Sequence, residues 1–302
     1  MNDDTKILII GLGEIGYSNA EYMSHLGLHV YGYDRERRAV QRAVHEGVIE
    51  KEATCFSGFD YYVICISTHN PENLYQPSLE GIFDIAQRLS KEGTDGALIT
   101  VESTIAKGTC NILHQAVDHK LHVAHFPHRY YSKEKEEHGV RQLRVLGGCE
   151  DCCSVKAIGF YRDLLGIPFY HVRSIELAEL SKIIENSYRF LEIAFSEELR
   201  LFCEAYNLDY SELREAINSK WNMNLLEAMD GIGGHCLPKD TQMYLQSLNR
   251  VCAQSIIRSA LDIDDRYKRE FIQEGKPKDR TPLQKLAVKR TVIESTISTN
   301  QR

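Results

Sequence analysis

The sequence predicts an α/β domain with a doubly wound parallel β-sheet, followed by an all-helical central and dimerisation domain. The first half alternates short apolar runs with helical stretches, and the second half holds more than 30 consecutive residues without Gly or Pro. A chain of 302 residues corresponds to about two domains. We expect the sheet domain at residues 1–170, the helical domain at 171–271 and a basic tail, solvated or disordered, at 272–302.

The strands are the short runs rich in β-branched and aromatic residues. Because helical stretches separate these runs, the strands are expected to be parallel and covered on both faces. In chain order they are Ile7–Ile10, His29–Tyr33, Tyr61–Ile66, Ala97–Val101, Leu121–Ala124 and Arg144–Leu146.

The helical domain is predicted from its amphipathic periodicity. From Ile175 onward, apolar residues recur mostly three and four positions apart, which predicts one long helix with a wide apolar face. Such a face needs a partner, and a homodimer through this domain is the simplest solution. Further helices are expected at Ser211–Ile217, with Ser211 as the N-cap, and at Thr241–Phe271.

Composition limits the possible classes of partner. The net charge is −7, and the segment from Lys276 to Arg302 carries seven basic and two acidic residues, so the rest of the chain is strongly acidic. An acidic body argues against nucleic acid as the main partner. No apolar run approaches the roughly 20 residues of a membrane span, and the acidic start MNDDTK is not a secretory signal. We therefore expect a cytoplasmic chain that binds neither nucleic acid nor a membrane.

Cysteine usage fits a reducing compartment. The chain has nine cysteines, an odd number without an export signal. Cys149, Cys152 and Cys153 lie together in CEDCC, but a zinc site would need a second pair nearby in the sequence, and none has that spacing. No metal site is expected.

A glycine-rich turn follows the first strand and predicts a dinucleotide site. Gly11, Gly13 and Gly16 form GLGEIG, in which the first Gly allows a tight turn, the second allows close approach of a pyrophosphate, and the third allows close helix–strand packing. The helix that begins there offers N–H groups and its positive dipole end to the phosphates. The alternative, a turn without a ligand, remains open.

An acidic residue ends the second strand and indicates which cofactor is bound. Asp34 lies 18 residues after Gly16, where a carboxylate accepts hydrogen bonds from an adenosine ribose. Because an acid there repels a ribose phosphate, NAD is favoured over NADP. The preference is moderate, since Arg35, Arg37 and Arg38 follow closely.

Two later patterns suggest chemistry. Cys236, in GGHCLPKD, lies near Lys239 in a turn that could lower its pKa and make it a nucleophile, although a buried structural Cys is the commoner case. Lys182 and Asn186 lie on one face of the long helix, where they could take up an alcohol proton and hold an oxyanion. The alternative is a solvated pair.

Taken in order, these motifs resemble those of the nucleotide-sugar dehydrogenases of the UDP-glucose / GDP-mannose / UDP-N-acetylmannosamine 6-dehydrogenase type. The similarity covers roughly residues 5–265. The segments that carry it are GLGEIG, VICIST, VESTIAKGT, AELSKIIENSYRFLEIAFSEEL and GIGGHCLPKD.

The resemblance implies a Rossmann-type NAD domain and a set of cofactor contacts. It implies a substrate that is a sugar or a nucleotide sugar. The residues implied to contact NAD are Gly11, Gly13, Glu14, Ile15, Gly16, Asp34, Arg35, Ser67, Thr68, Glu102 and Thr104.

The resemblance further implies a four-electron oxidation of a primary alcohol to a carboxylate. Lys182 assists removal of the alcohol proton, and Cys236 captures the aldehyde as a thiohemiacetal that becomes a thioester. Asn186 and Lys182 stabilise oxyanions, Asp240 orients Lys182 or the attacking water, and Thr104 positions that water.

Two departures from the family pattern stand out. The family usually has Pro-Glu late in the sheet domain, and here Pro127 is followed by His128, which could act as a general base or could signal impaired hydrolysis or another substrate. The family also normally carries a third, C-terminal α/β domain, which we expect to be missing here. A two-electron 3-hydroxyacid-type dehydrogenase and a catalytically retired NAD-binding protein therefore remain as alternatives.

Overall fold

The computed structural model describes residues 4–70, 72–249, 251–252 and 254–273. These residues form two compact units, of which the first comprises the described residues of 1–187 and 238–253 and the second those of 188–237 and 254–302. The division falls within the long helix, so it differs from the domain bounds expected from the sequence. From residue 274 onward, the predicted basic tail lies outside the described residues.

A seven-stranded sheet forms the centre of the first unit, and a small antiparallel hairpin accompanies it. The strands are β1 (Lys6–Ile10), β2 (His29–Tyr33), β3 (Tyr61–Ile64), β4 (His69–Asn70), β5 (Asn73–Pro77), β6 (Leu98–Val101), β7 (His122–His125), β8 (Arg144–Gly148) and β9 (Phe169–His171). The sheet has the order β2-β1-β3-β6-β7-β8-β9, and β4 pairs with β5. The predicted α/β fold class is confirmed, and β4, β5 and β9 are additions to it.

One strand pair departs from the expected parallel arrangement. β8 runs antiparallel to β7, with Ala124 opposite Gly148. A parallel return would need a crossover of a dozen or more residues, usually through a full helix. The connection between β7 and β8 holds only a 3₁₀ turn, Ser132–Glu134, and a one-turn helix, Lys135–His138. The expectation that every strand is parallel was therefore wrong at this position.

Helices cover both faces of the sheet and exclude water from its strands. Ile7 and Ile9 belong to the core on one face, and Leu8 and Ile10 belong to the core on the other. This alternation explains why the last four residues of β1 are all apolar. The helices are α1 (Glu14–His25), α2 (Arg37–His45), α3 (Glu80–Glu92), α4 (Thr109–Ala116), α5 (Lys135–His138) and α6 (Asp151–Ile158), which continues into a π-helical segment, Gly159–Leu164.

The remaining helices follow the predicted order with two corrections. They are α7 (Ile175–Tyr206), α8 (Tyr210–Asn218), α9 (Cys236–Leu248) and α10 (Ile256–Lys268), which ends in a π-helical segment, Arg269–Gln273. The N-cap of α8 is Asp209, not Ser211, because the Asp209 carboxylate accepts the Glu212 N–H. The helix predicted at 241–271 is two helices, and Ser255 caps the second by accepting the Ile257 N–H.

The second unit packs around a small apolar core of its own. Phe190 and Ala194 on α7 contact Ile232 and Ala260 there. None of the described helices is long and apolar enough to span a bilayer.

A different side of α7 presents a row of exposed large apolar residues, which we call the exposed stripe. The members of the exposed stripe are Leu177, Ile184, Tyr188, Phe195, Phe202 and Tyr206.

Candidate active site

The glycine turn lies at the carboxyl end of β1, where α/β proteins bind dinucleotides. Gly11 has a φ of +95°, and an added Cβ there would lie 2.7 Å from the Cys65 carbonyl oxygen. A Cβ on Gly16 would lie 1.8 Å from the Gly11 oxygen, so these two glycines are required by packing. A Cβ on Gly13 would meet only open space. Gly13 therefore leaves its backbone accessible to a pyrophosphate, as the fingerprint predicts.

The start of α1 and the end of β2 complete this cradle. Glu14 and Ile15 open α1, and its N-cap residue, Gly13, makes no side-chain hydrogen bond to the helix. Asp34 is fixed beside the turn, because its carboxylate accepts the Leu12 N–H at 2.6 Å and the Glu36 N–H at 2.8 Å. These residues fit a dinucleotide, with Asp34 placed for a ribose and Arg35 exposed next to it.

Two loops after β3 and β6 lie together at the same edge of the sheet. The Thr68 hydroxyl donates to the Thr104 carbonyl at 2.7 Å, and the Ser103 hydroxyl donates to the Ile66 carbonyl at 2.7 Å. Ser67 is exposed and contacts His69. The structure thus brings together the predicted cofactor residues Ser67, Thr68 and Thr104 from distant parts of the sequence.

A chain of polar contacts joins α7 to α9 within the first unit. The Lys182 ammonium donates to the Asn186 side-chain oxygen at 3.5 Å, and the Asn186 amide donates to one Asp240 carboxylate oxygen at 2.5 Å. The other Asp240 oxygen accepts from Lys239 at 2.6 Å, and Lys239 also contacts the Thr68 hydroxyl at 3.3 Å. Lys239 and Asp240 are both buried. This arrangement fixes Asn186 in one orientation and connects it to the loop after β3.

Cys236 is the first residue of α9 and its side chain is exposed. The alternative of a buried structural cysteine is therefore excluded. Gly231 and Gly234 precede it with φ values of +80° and +70°, a conformation that favours glycine, which accounts for the glycines of this turn.

Glu102, a predicted cofactor residue, is instead buried inside the first unit among four polar partners. Its carboxylate accepts from Arg144 at 2.8 Å, from Asn19 at 2.8 Å and from Tyr161 at 2.6 Å, and it pairs with His128 at 2.5 Å. Burial by itself raises the pKa of Glu102, but the charge of Arg144 and the contacts with His128 and Tyr161 outweigh it and hold the pKa well below its ordinary value. We call these five residues the Glu102 cluster.

His128 takes the place of the family's Glu and lies within this cluster. Burial is the largest influence on its pKa, the Arg144 charge adds to it, and the pKa falls to about 4 despite the attraction of Glu102. The charge of Lys182 also lowers the pKa of His128. At neutral pH the His128 ring is therefore uncharged. Its Nδ1 atom is buried and has no partner among the described residues.

Two functional partners were not identified from the sequence. Arg144 had been predicted only as the start of a strand, and Lys239 only as a charge near Cys236. Arg144 stands at the start of an otherwise apolar strand, and an arginine buried there needs an acidic partner. The adjacent Lys239 and Asp240 have opposite charges, so an ion pair between them could have been expected.

Two family models match the chain. Residues 176–266 match the central domain of the UDP-glucose/GDP-mannose dehydrogenase family. Residues 6–125 match the NAD binding domain of 6-phosphogluconate dehydrogenase. The first match contains Lys182, Asn186, Cys236 and Asp240, and the second contains the glycine turn.

Individual proteins similar to this chain are nucleotide-sugar dehydrogenases. The UDP-N-acetyl-D-mannosamine dehydrogenase of Methanococcus maripaludis is 26% identical over 284 residues, which cover 87% of this chain and 66% of the relative. This chain therefore spans just under two thirds of that relative's length. The structure of the UDP-D-ManNAc dehydrogenase of Pyrococcus horikoshii superimposes with a TM-score of 0.73 at 25% identity, covering 87% of this chain and 69% of that chain.

One further solved structure is similar to this chain in fold only. The 3-hydroxyisobutyrate dehydrogenase of Mycobacterium tuberculosis matches with a TM-score of 0.69 at 14% identity, covering 88% of this chain and 94% of that chain.

Proposed function

We propose that this chain, whose residues 176–266 match the central domain of the UDP-glucose/GDP-mannose dehydrogenase family, oxidises the primary alcohol of a nucleotide sugar to a carboxylate with two equivalents of NAD. The observation that supports this most directly is the hydrogen-bonded chain of Lys182, Asn186 and Asp240. It lies in the unit that also carries the glycine turn. UDP-N-acetylmannosamine, the substrate named for the relatives, is the first compound to test.

Bound NAD supplies the hydride acceptor for each of the two oxidations. In the first, Lys182 in its neutral form takes the alcohol proton as the C–H hydride leaves, and an aldehyde results. Asn186 donates its remaining amide hydrogen to the developing oxyanion, since its other one is held by Asp240. Asp240 is thus a positioning residue for Asn186.

Cys236 supplies the covalent step. Its thiolate adds to the aldehyde carbon to give a thiohemiacetal, which retains the intermediate while the reduced cofactor is exchanged. Loss of a second hydride converts this adduct to a thioester. Water, positioned by Thr104, then releases the carboxylate and the free thiol. A reduced, cytoplasmic thiol is the state that this role requires.

For hydrolysis we assign the water proton to His128. The ring is unprotonated at neutral pH, and Nδ1 is the nitrogen left to accept a proton. A base with a pKa of about 4 is weak, so thioester hydrolysis is expected to be the slow step. In a His128→Gln variant, the thioester on Cys236 should accumulate and be visible by mass spectrometry of the denatured protein.

The active form is proposed to be a homodimer through the exposed stripe of α7. Six large apolar side chains on one helix face are unusual for a surface without a partner. Tyr188, 62% exposed, and Phe195, 53% exposed, lie at the centre of the stripe. Sedimentation of wild type and of a Tyr188→Glu, Phe195→Glu double variant tests this, and a monomeric wild type would refute it.

Counting NADH per substrate tests the proposed reaction. The wild type should release two NADH for each carboxylate formed. Cys236→Ala should form no carboxylate yet still bind NADH, whereas Cys252→Ser, another exposed cysteine, should behave as wild type. Lys182→Met should lower kcat by about 10²–10⁴-fold. One NADH per turnover would favour a two-electron dehydrogenase, and NADH binding without turnover of any sugar nucleotide would favour a retired enzyme.

A further inference from the structure

A group of metal-binding side chains lies at the opposite edge of the sheet from the glycine turn. It consists of two sets of three that meet where Cys152 contacts Glu150, namely His122 with Cys152 and Cys153, and His114 with His119 and Glu150. β7 runs parallel to β6, so His122 at the start of β7 lies at the edge of the sheet away from the carboxyl ends of these two strands. The proposed oxidation uses none of these residues.

The structure supplies what the sequence spacing lacks. CEDCC has no second cysteine pair nearby, but its last two cysteines lie beside a histidine that is 30 and 31 residues earlier in the chain. The Cys153 sulfur is 3.6 Å from His122 Nδ1. All three ligand atoms, including the Cys152 sulfur, lie within 4.8 Å of one another.

These separations are close to those of a tetrahedral zinc site. With Zn–S bonds of about 2.3 Å and Zn–N bonds of about 2.0–2.1 Å, bound sulfur and nitrogen atoms are about 3.6 Å apart and two sulfurs about 3.8 Å apart. The pair of His122 and Cys153 already has that spacing. Cys152 is exposed on the first turn of α6, so a rotation of its side chain closes the remaining distance.

The backbone around this group favours a charged sulfur and a rigid site. The Val123 N–H donates to the Cys153 sulfur at 3.4 Å, a contact that stabilises a thiolate. The Cys149 N–H donates to the Val123 carbonyl at 3.0 Å, which holds the start of α6 against β7. Both ligand-bearing segments are therefore fixed by sheet hydrogen bonds.

Glu150 contacts one member of the first set, Cys152, and is the carboxylate that we consider as a fourth ligand. The Cys152 thiol donates to one Glu150 carboxylate oxygen at 3.6 Å, and His119 Nδ1 is 3.6 Å from the other. The ammonium of Lys156 donates to the Gly96 carbonyl. Two thiolates, one carboxylate and one imidazole form a closed, structural type of zinc site.

We propose that His122, Cys152, Cys153 and Glu150 bind one zinc ion, which ties the start of β7 to the start of α6. The ion is bound independently of the dinucleotide, because the two sites lie at opposite edges of the sheet. Zinc is preferred over magnesium or calcium since two of the four ligands are sulfur.

Metal titration of the full chain tests this proposal. After dialysis against EDTA with a phosphine reductant, the wild type should take up one equivalent of zinc in competition with a chromophoric chelator. With cobalt in place of zinc, it should show the thiolate-to-metal charge-transfer band of a two-sulfur site. Added zinc should also raise the melting temperature.

Variants identify the ligands. Cys152→Ser changes an exposed side chain and should lose zinc affinity by more than about 100-fold, beyond the 10–100-fold typical of residues around the ligands. Cys153→Ser should do the same, with far-UV circular dichroism verifying its fold. Cys55→Ser, an exposed cysteine of the same unit, is the matched control and should bind as wild type.

Two results would overturn the assignment. Uptake below half an equivalent by the wild type, or unchanged affinity in both Cys152→Ser and Cys153→Ser, would show that no such site exists. If His119→Gln loses zinc while Glu150→Gln retains it, the assignment of Glu150 as fourth ligand is wrong.

Discussion

Each of the two units buries a glutamate, and the two carboxyl groups differ in the polar and charged groups around them. Glu102 in the first unit is surrounded by Arg144, Tyr161 and other donors, and its pKa is held well below the ordinary value. Glu197 in the second unit lies instead beside a second carboxyl group, that of Asp264. Burial and then the charge of Asp264 raise its pKa to about 8.

The difference shows that burial alone does not decide the protonation state of a carboxyl group. Both side chains are withdrawn from water, which disfavours charge. Only Glu102 has a buried cation and several donors to compensate, so it stays ionised, whereas Glu197 keeps its proton at neutral pH. The two units are therefore expected to respond to pH in opposite directions.

Removal of the cation from the Glu102 cluster should have the largest effect. Arg144→Met leaves a buried carboxylate without its counter-charge and should lower the free energy of unfolding by about 3–5 kcal/mol. Urea unfolding followed by far-UV circular dichroism measures this. Arg162→Met, at an exposed arginine, is the control and should be unchanged. A loss below about 1 kcal/mol for Arg144→Met would mean that the cluster is not a charged one.

Loss of one neutral donor should cost less. Tyr161→Phe removes the hydroxyl that donates to Glu102 at 2.6 Å. Hydrogen bonds to charged groups contribute about 1.5–3 kcal/mol, so the same urea assay should show a loss in that range. The exposed Tyr170 offers a matched substitution, Tyr170→Phe, with no expected change. Equal stability of the two variants would contradict an ionised Glu102.

Acid should destabilise the first unit through its buried histidines. Burial lowers the pKa of His125 to about 3 and that of His128 to about 4. Because the unfolded chain takes up these protons first, below about pH 6.5, the free energy of unfolding falls as pH falls. Each histidine contributes up to about 1.4 kcal/mol per pH unit. His125→Phe should make the dependence shallower by about one proton between pH 6 and 4, and an unaltered slope would refute the assignment.

A rise in pH from about 4.5 to 8 should lower the free energy of unfolding of the second unit. The raised pKa of Glu197 means that the unfolded chain loses this proton first as pH rises from about 4.5 to 8. The stabilisation is therefore complete below pH 4.5 and declines by no more than about 1.4 kcal/mol per pH unit. Glu197→Gln keeps the size and shape of the side chain but cannot lose a proton, so it should remove this dependence of the free energy of unfolding on pH. A variant that unfolds with the pH dependence of wild type would show that Glu197 is ionised.

Much of the fold followed from the sequence because its signals are local. The glycine turn, Asp34 and the long helix at Ile175–Tyr206 are set by spacing within one element or between neighbours. The reversed strand β8 was not predicted, since strand direction depends on the route of a connection rather than on the residues of the strand.

The site was only partly predictable for a related reason. Lys182 and Asn186 are one helical turn apart, so their pairing is visible in the sequence. The contact of Lys239 with Thr68 joins residues 171 positions apart, and that of Arg144 with Glu102 joins residues 42 apart. No periodicity encodes such pairs, because they form only when strands and helices from separate parts of the chain assemble.

The spacing of the exposed stripe restricts how two copies of α7 can associate. Leu177 and Phe195, Ile184 and Phe202, and Tyr188 and Tyr206 are each 18 residues apart, which at 3.6 residues per turn is five whole turns. A stripe with this repeat runs straight along the cylinder, whereas the seven-residue repeat of a coiled coil drifts and forces left-handed winding. In the proposed homodimer, the two α7 helices are therefore expected to pack as straight rods. One residue inserted between Tyr188 and Phe195 would turn the far half of the stripe by about 100° and abolish the shared surface.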